Sequence, residues 1–592
     1  MLFTSLTIPR WLRDGIQPNE KGASMRKFIW GGDTETLNGA PMTFQFYANQ
    51  PQRAQLLWVD DPDDASTVLF RWIKSLPANS EHVVYVHNLE FDLVSFLWDC
   101  KSELVSSPDG EFRFTRNGWR VEGVYGAPTY ARVVDPHRKR RVLFVDSYSY
   151  YRASLAAASE VFCPHLPKLK RPDGLGTKRF SKRDEEFAAY ALRDAEIACF
   201  IGEALEKLHD EFDLTQTVSV ADMAARIFRH QFLDRTIPQP PRPIIEAALL
   251  AYHGGKNNMP VTPGWYLGVS SLDISSAYPH AMTTFPSFSV ASAYRRFRGS
   301  RVQSVPELGV YRIAGKVAPC PWPSLYAHDF TALSGAVEGV WVGGHELNEA
   351  LESGEFKPTS VEGWYYDADA DRFPSPFVSF VAEFYRRKEA EQDKAMRAMY
   401  KFVLNSVSGK FIQTRKRQKV THVDIDSGKV SDSGDLVAGG MFHPFIAQAI
   451  TGHTRARIHR LEHRYKAIHT ATDGIFTQAR DVKSEPKGLG ALVCEARGDL
   501  LLLRNKLYVL YSDDGKQASA VFKGKRVAKA ALHGFAGTVA DLERLVATNR
   551  RRYRATRVNR LRDSLKRGLT PNEFTVRDYV LKVGPLPVHD SC

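Results

Sequence analysis

Residues 269–282 read VSSLDISSAYPHAM, and residues 467–476 read AIHTATDGIF. Each is a short apolar run carrying one acid, Asp273 in the first and Asp473 in the second, and each reads as a buried strand. Side by side in one sheet, the two strands would bring together carboxylates that lie far apart in the chain. Between them KFVLNSVSGKF (401–411) reads as the end of a helix, with Lys401, Asn405 and Gly409 on one face. Two carboxylates opposite a cation-bearing helix suit phosphoryl transfer from a nucleoside triphosphate. The acids would hold divalent ions, and Lys401 would meet the charge that grows on the phosphates.

Toward the N-terminus the pattern alternates between strands and helices, as in an α/β domain. Strand-like FIWGGDTET and HVVYVHN are followed by helix-like FDLVSFLWDC, the strand RRVLFVDS and a long helical region around 182–209. Asp33 and Glu35 form an Asp-x-Glu at the end of the first strand, so both side chains point to one face. Asp92 opens a helix, and Asp194 shares a helix face with Tyr190. Four carboxylates with a phenol are the set required for two-metal hydrolysis of a phosphodiester, in which the phenol helps to orient water.

The chain has 592 residues, 25% of them charged, with a net charge of +13. This length supports several packed cores, and the basic excess points to a polyanionic partner, most simply nucleic acid. The six cysteines are scattered with no Cys-x-x-Cys pair, which argues against a zinc module or a disulfide framework. Pro9, Arg10 and Arg13 interrupt the first residues, so they do not read as a signal peptide. No apolar run is long enough for a membrane span, and a cytoplasmic protein without a membrane partner is expected.

Taken together, these motifs resemble two known sets. Asp33-Thr34-Glu35, Asn88-Leu89-Glu90-Phe91-Asp92 and Tyr190-Ala191-Leu192-Arg193-Asp194 resemble the three motifs of DEDD-type proofreading exonucleases. The resemblance implies that Asn88, Phe91 and Ser147 are ligands of a single strand. SLDISSAYPHAM resembles motif A of family B DNA polymerases, KFVLNSVSGKF motif B, and TATDGIF motif C. Asn505-Lys506-Leu507-Tyr508 resembles the Lys-x-Tyr motif that contacts the primer terminus. Tyr252-His253-Gly254-Gly255 resembles the Tyr-x-Gly-Gly motif that grips the template. The compact length and these last two motifs resemble the protein-primed branch of phages, adenoviruses and linear plasmids. Three positions depart from the family pattern. Ala471 replaces the first acid of motif C, but Asp473 matches the acid that usually binds metal, so catalysis is expected to survive. Ser408 replaces a Tyr that packs on the nascent base pair, which bears on base selection. Gly474 replaces a Ser.

The resemblance implies an α/β multidomain fold, a ribonuclease H-like exonuclease domain followed by a right-hand polymerase. The expected divisions are an extension at 1–26, the exonuclease domain at 27–236 and the first part of the palm at 237–340. A first terminal-protein-type insertion at 341–388, the fingers helix at 389–412 and a second, hairpin insertion at 413–441 follow. The rest of the palm is expected at 442–515 and the thumb at 516–592, the thumb with a basic run from Arg550 to Arg567. Two Mg²⁺ per site are implied, with Mn²⁺ as a substitute. Asp273, Asp473 and the backbone at Ile274 would hold them in one site, and Asp33, Glu35, Asp92 and Asp194 in the other. Lys401, Asn405, Ser276, Lys388 and Tyr278 are expected around the nucleotide, Tyr278 excluding a 2′-hydroxyl. Tyr252, Gly254, Gly255, Arg455, Lys506 and Tyr508 are expected on DNA. Implied partners are template and primer DNA, dNTPs, a terminal protein as primer and a single-stranded DNA-binding protein, with the enzyme a monomer. Two other readings stay open: a family B polymerase that extends ordinary primers or needs none, and a nuclease or DNA-binding protein with a decayed polymerase half.

Overall fold

The computed structural model describes residues 27–106, 110–126, 128–137, 139–416, 420–423, 430–433, 436–512, 526–535, 537–548, 550, 552–558 and 574–580. The extension at 1–26 and most of the basic run beyond Arg550 lie outside them. Three sheets organise the rest.

The N-terminal sheet has eight strands, and three parallel ones lie at its centre: Lys27–Leu37, Ser80–Val86 and Arg140–Asp146. The valines of the second and third strands, with Leu143 and Phe144, are buried on both faces, as parallel strands require. The long helix Glu185–Glu211 packs across the first strands. Asp184 caps it by accepting from the Phe187 amide at 2.9 Å, with Glu185 and Glu186 in its first turn. The α/β reading of this half is therefore what the chain adopts.

The second sheet has seven strands in the order Arg526–Leu532, Leu507–Ser512, Leu492–Arg504, Gly264–Ile274, Gly474–Thr477, His469–Thr472 and Lys256–Asn258. Helix Pro444–Tyr465 lies behind it, buried along most of its length. The expected single strand over 467–476 is instead two strands, His469–Thr472 and Gly474–Thr477, paired antiparallel with Asp473 in the turn. Thr472 adopts a φ of +64° there, a left-handed conformation costly for a β-branched residue.

A third sheet, Tyr294–Gly299, Phe356–Tyr366, Gly309–Val317 and Gly335–Gly343, carries helix Gly344–Glu352. Its own apolar core includes Tyr311, Ile313, Leu347 and Val361. The expected boundary at 340/341 thus falls inside a paired strand, because the unit that buries a common core begins near Tyr294. The expected boundary at 388/389 falls inside helix Pro376–Ala390, which packs against a second helix, Lys394–Ser406. The stretch expected as one fingers helix, 389–412, therefore takes in the end of the first helix and all of the second. Asp393 breaks it by capping the second helix through the Met396 amide. Gly409 lies beyond that helix in a 3₁₀ turn over Ser408–Ile412, so it does not continue the face of Lys401 and Asn405. The hairpin expected at 413–441 is present in its backbone, where Thr414–Lys416 pairs with Leu436–Ala438 and Val420–Val423 with Val430–Ser433.

Candidate active sites

In the N-terminal sheet the strand Lys27–Leu37 delivers Asp33 and Glu35, the helix Leu89–Phe96 delivers Asp92, and the helix Glu185–Glu211 delivers Tyr190 and Asp194. Asp92 and Asp194 are buried, and Thr34 Oγ1 donates to Asp92 Oδ1 at 2.7 Å. Burial, then repulsion from Asp92, Asp194 and Glu35, pushes the Asp33 carboxyl far above its ordinary range. Burial, then Asp194 and Asp92, push Glu35 up to about 8, and burial pushes Asp92 up to about 7. The fold brings the four acids close enough to repel one another. Lys168 bonds Asp194 Oδ2 at 2.5 Å, while Asp194 Oδ1 is buried with no partner. Lys168 was not legible in the sequence. It sits in an irregular Pro-containing loop, and no spacing ties it to Asp194.

Asn88 is exposed at the mouth of this site, in a left-handed conformation, with Phe91 half-buried one turn on. A further acid, Asp146, holds this corner by accepting from the amides of Asn88 at 2.9 Å, Leu89 at 3.3 Å and Tyr148 at 3.0 Å. Ser147 is a correction. It is fully buried, 3.0 Å from His87 Nδ1 and donating to Val86 O, so its hydroxyl is not offered to a ligand. The exposed side chain at this corner is Tyr148, edge-on to His87.

In the second sheet Asp273 pairs with Gly474, and the Ile274 amide donates to Asp473 O at 3.0 Å. Asp273 and Asp473 thus end neighbouring strands and line one cavity of about 690 Å³. Gly474 is fitted to its place, since a Cβ there would stand 3.0 Å from Asp273 Oδ1 and 2.8 Å from Leu272 O. Burial, then repulsion from Asp473 and Glu495, pushes Asp273 up to about 7, and burial raises Asp473 as well. Ile274, Ser276, Tyr278, Lys388, Lys401 and Asn405 line the same cavity. Ser276 takes a φ of +52° at the start of the helix Ala277–Met282, and burial pushes the Tyr278 phenol up to about 12. Glu495 and Lys529 were missed by the sequence reading. Lys529 donates to Glu495 Oε2 at 2.6 Å and lowers both aspartates, but it arrives from an edge strand whose register the sequence does not reveal.

Residues 184–440 match the family described as DNA polymerase type B, organellar and viral. The matched stretch takes in Asp273 and Lys401 and stops short of Asp473. Phi29 DNA polymerase complexed with primer-template DNA and incoming nucleotide has the same fold at a TM-score of 0.66 and 14% identity, over 95% of this chain and 100% of its own. An orthorhombic crystal form of Phi29 DNA polymerase gives 0.66 and 15%, over 94% and 100%. The complex of that polymerase with single-stranded DNA gives 0.65 and 14%, over 94% and 100%. No curated protein matches the chain in sequence.

Against this polymerase fold, the remaining expected DNA-facing residues separate. Tyr252 is half-buried against the main core and Gly254 is exposed. Gly255 abuts the Asp473 turn so closely that a Cβ would lie 2.4 Å from Thr472 Cγ2. Lys506 is half-buried in a turn, and its charge lowers Asp473. Tyr508 is only 4% exposed, its ring packed on His469 and Phe476, so it faces the sheet's own core rather than an open groove. Arg455 is a second correction. It is 2% exposed, donates to Glu346 Oε1 at 2.7 Å and to Gly254 O at 2.7 Å, and also bonds His253 O. A buried guanidinium is held by such partners and cannot reach DNA. Its work is to fix the Tyr252–Gly255 loop to the third sheet.

Proposed function

We propose that the chain is a DNA-directed DNA polymerase with a separate 3′→5′ exonuclease, primed by a protein hydroxyl, that replicates a phage or mobile-element genome in its host's cytoplasm. The observation that carries this reading is the pairing of Asp273 with Gly474 beside Asp473, at the floor of a cavity whose other wall holds Lys401. A template and primer, the dNTPs, a terminal protein and a single-stranded DNA-binding protein are the partners this activity requires, with the enzyme acting as a monomer.

Both sites fit divalent ions by the chemistry of their donors. Carboxylates whose pKa values are raised by burial and mutual repulsion are stabilised when a cation neutralises them. Among the described residues no three His, Cys, Asp or Glu side chains are already grouped to hold an ion. Asp273, Asp473 and the Ile274 carbonyl would hold Mg²⁺ in one site, and Asp33, Glu35, Asp92 and Asp194 in the other. When bound, Mg²⁺ or Mn²⁺ supplies charge neutralisation and activation of the attacking oxygen. Lys401 meets the phosphates, Ser276 and Asn405 line the nucleotide's path, and Tyr278 lies where a sugar stacks. Lys506 offers its charge to primer or template phosphates. In the other site Tyr190 orients water and Lys168 steadies Asp194. Asn88, Phe91 and Tyr148 guide the strand end, the aromatic rings by stacking.

The test is a labelled primer-template assay with the wild type, Asp473→Asn, and Asp33→Ala with Glu35→Ala. Asp473→Asn is expected to abolish extension and spare degradation, and the double variant to do the reverse. No incorporation by the wild type with either metal would overturn the polymerase reading. Starting from a Ser, Thr or Tyr hydroxyl of a partner protein, rather than from an oligonucleotide alone, tests protein priming.

A further inference from the structure

Five basic side chains line the cavity above Asp273 and Asp473: Lys388, Lys394, Arg397, Lys401 and Lys487. Among the lining residues the acids Asp273, Asp473 and Glu495 come from the sheet, and one acid, Glu389, comes from the helix pair. Glu389 ends helix Pro376–Ala390 and gathers three of the five cations. Its Oε1 lies 3.1 Å from Lys388 Nζ, and its Oε2 lies 3.6 Å from Arg397 Nη2 and 3.3 Å from Lys487 Nζ. These partners come from three places: the same helix, the next helix, and the loop before strand Leu492–Arg504. Arg397 and Lys487 are 44% and 76% exposed, so each pair is weak and readily exchanged.

A carboxylate at the meeting point of three cations stands where a phosphate group would. We propose that Glu389 is a stand-in for substrate phosphate: it occupies the cation cluster when the cavity is empty, and the triphosphate displaces it. This deepens the polymerase reading and rests on it for the identity of the substrate. The exchange is favourable because a triphosphate carries several charges and many acceptor oxygens against one carboxylate. It has two consequences. Glu389 lowers affinity for the incoming nucleotide, because its own ion pairs must break first. It also hastens departure of the pyrophosphate product by recapturing the cations. Because Lys487 belongs to the sheet side, the same contacts hold the helix pair against the sheet in the empty enzyme.

Pyrophosphate is the probe that separates this proposal from the polymerase reading, since its binding needs no synthesis. Calorimetric titration of the full-length protein with magnesium pyrophosphate is expected to show binding tightened about 3–10-fold by Glu389→Gln, the range that follows from losing competing exposed ion pairs. Glu389→Asp, which keeps the charge with a shorter reach, should fall between Gln and wild type. In primer extension, KM for dNTP should drop by a similar factor, with stronger inhibition by pyrophosphate. Unchanged or weaker pyrophosphate binding by Glu389→Gln, at an unaltered melting temperature, would overturn the proposal. So would a variant that loses thermal stability while Glu389→Asp binds pyrophosphate as the wild type does. A wild type that binds pyrophosphate but incorporates no nucleotide would sink the polymerase reading and leave the stand-in contact standing.

Discussion

In the N-terminal sheet four carboxylates repel one another and Lys168 bonds one of them, Asp194, whereas Asp273 and Asp473 look across a cavity at a wall of lysines and arginine. Both clusters are pushed toward protonation by burial, so both favour a divalent ion. They differ in what else they can hold. The first pairs its acids with little positive charge and has an exposed Asn88 and Tyr148 nearby, which suits a strand end and a water molecule. The second keeps a surplus of positive charge on its helix pair, which suits a triphosphate. On the proposed reading, similar acids serve cutting in one site and joining in the other, and the cations around them differ accordingly.

The comparison breaks most visibly at Lys401. Lys401→Ala should raise KM for dNTP about 10²-fold or lower kcat/KM by as much. Steady-state incorporation measures it, and degradation of single strands should be unchanged. Lys168→Ala is the mirror experiment, with single-strand degradation expected to fall roughly 10-fold and extension to persist. Equal loss of both activities in either variant would erase the distinction between the sites.

Stability against pH sharpens the same contrast. A Glu35 carboxyl that ionises near 4.5 when unfolded but near 8 in the metal-free fold takes up a proton on folding between those values. Stability should therefore be greatest at the acid end of that window and fall as pH rises through it. In EDTA the melting temperature is expected to drop by roughly 2–4 °C across the window, and Glu35→Gln should flatten the slope. Added Mg²⁺ should restore the loss by binding the ionised form.

The smallest effect is expected at Ala471. It pairs with Gly474 and Asn257 in the sheet, one residue before the strained Thr472. Asp473 already supplies the acid at the turn, so Ala471→Asp should change extension by no more than about threefold.

The acids were legible in the sequence because they stand out in apolar strands and helices, where a charge has no reason to be unless it is used. The α/β alternation was legible for the same reason of periodicity. What the sequence hid is set by tertiary pairing. Lys168, Glu495 and Lys529 reach their sites from a loop and from strands whose register depends on their neighbours. Arg455 misled because helix Pro444–Tyr465 is buried on most sides, so a charge that reads as surface is an interior tie. Ser147 misled because the turn after Asp146 points Ser147 inward and Tyr148 outward. The break at Asp393, capping a new helix, was hidden by the high helical propensity on both sides.

The central claim is that Asp273 and Asp473 share divalent ions. Anomalous diffraction from crystals soaked in Mn²⁺ with template, primer and matching nucleotide tests it directly. The expected result is an anomalous peak within ligand distance of both carboxylates. Occupancy of the Asp33 and Glu35 cluster with no peak between Asp273 and Asp473 would contradict it.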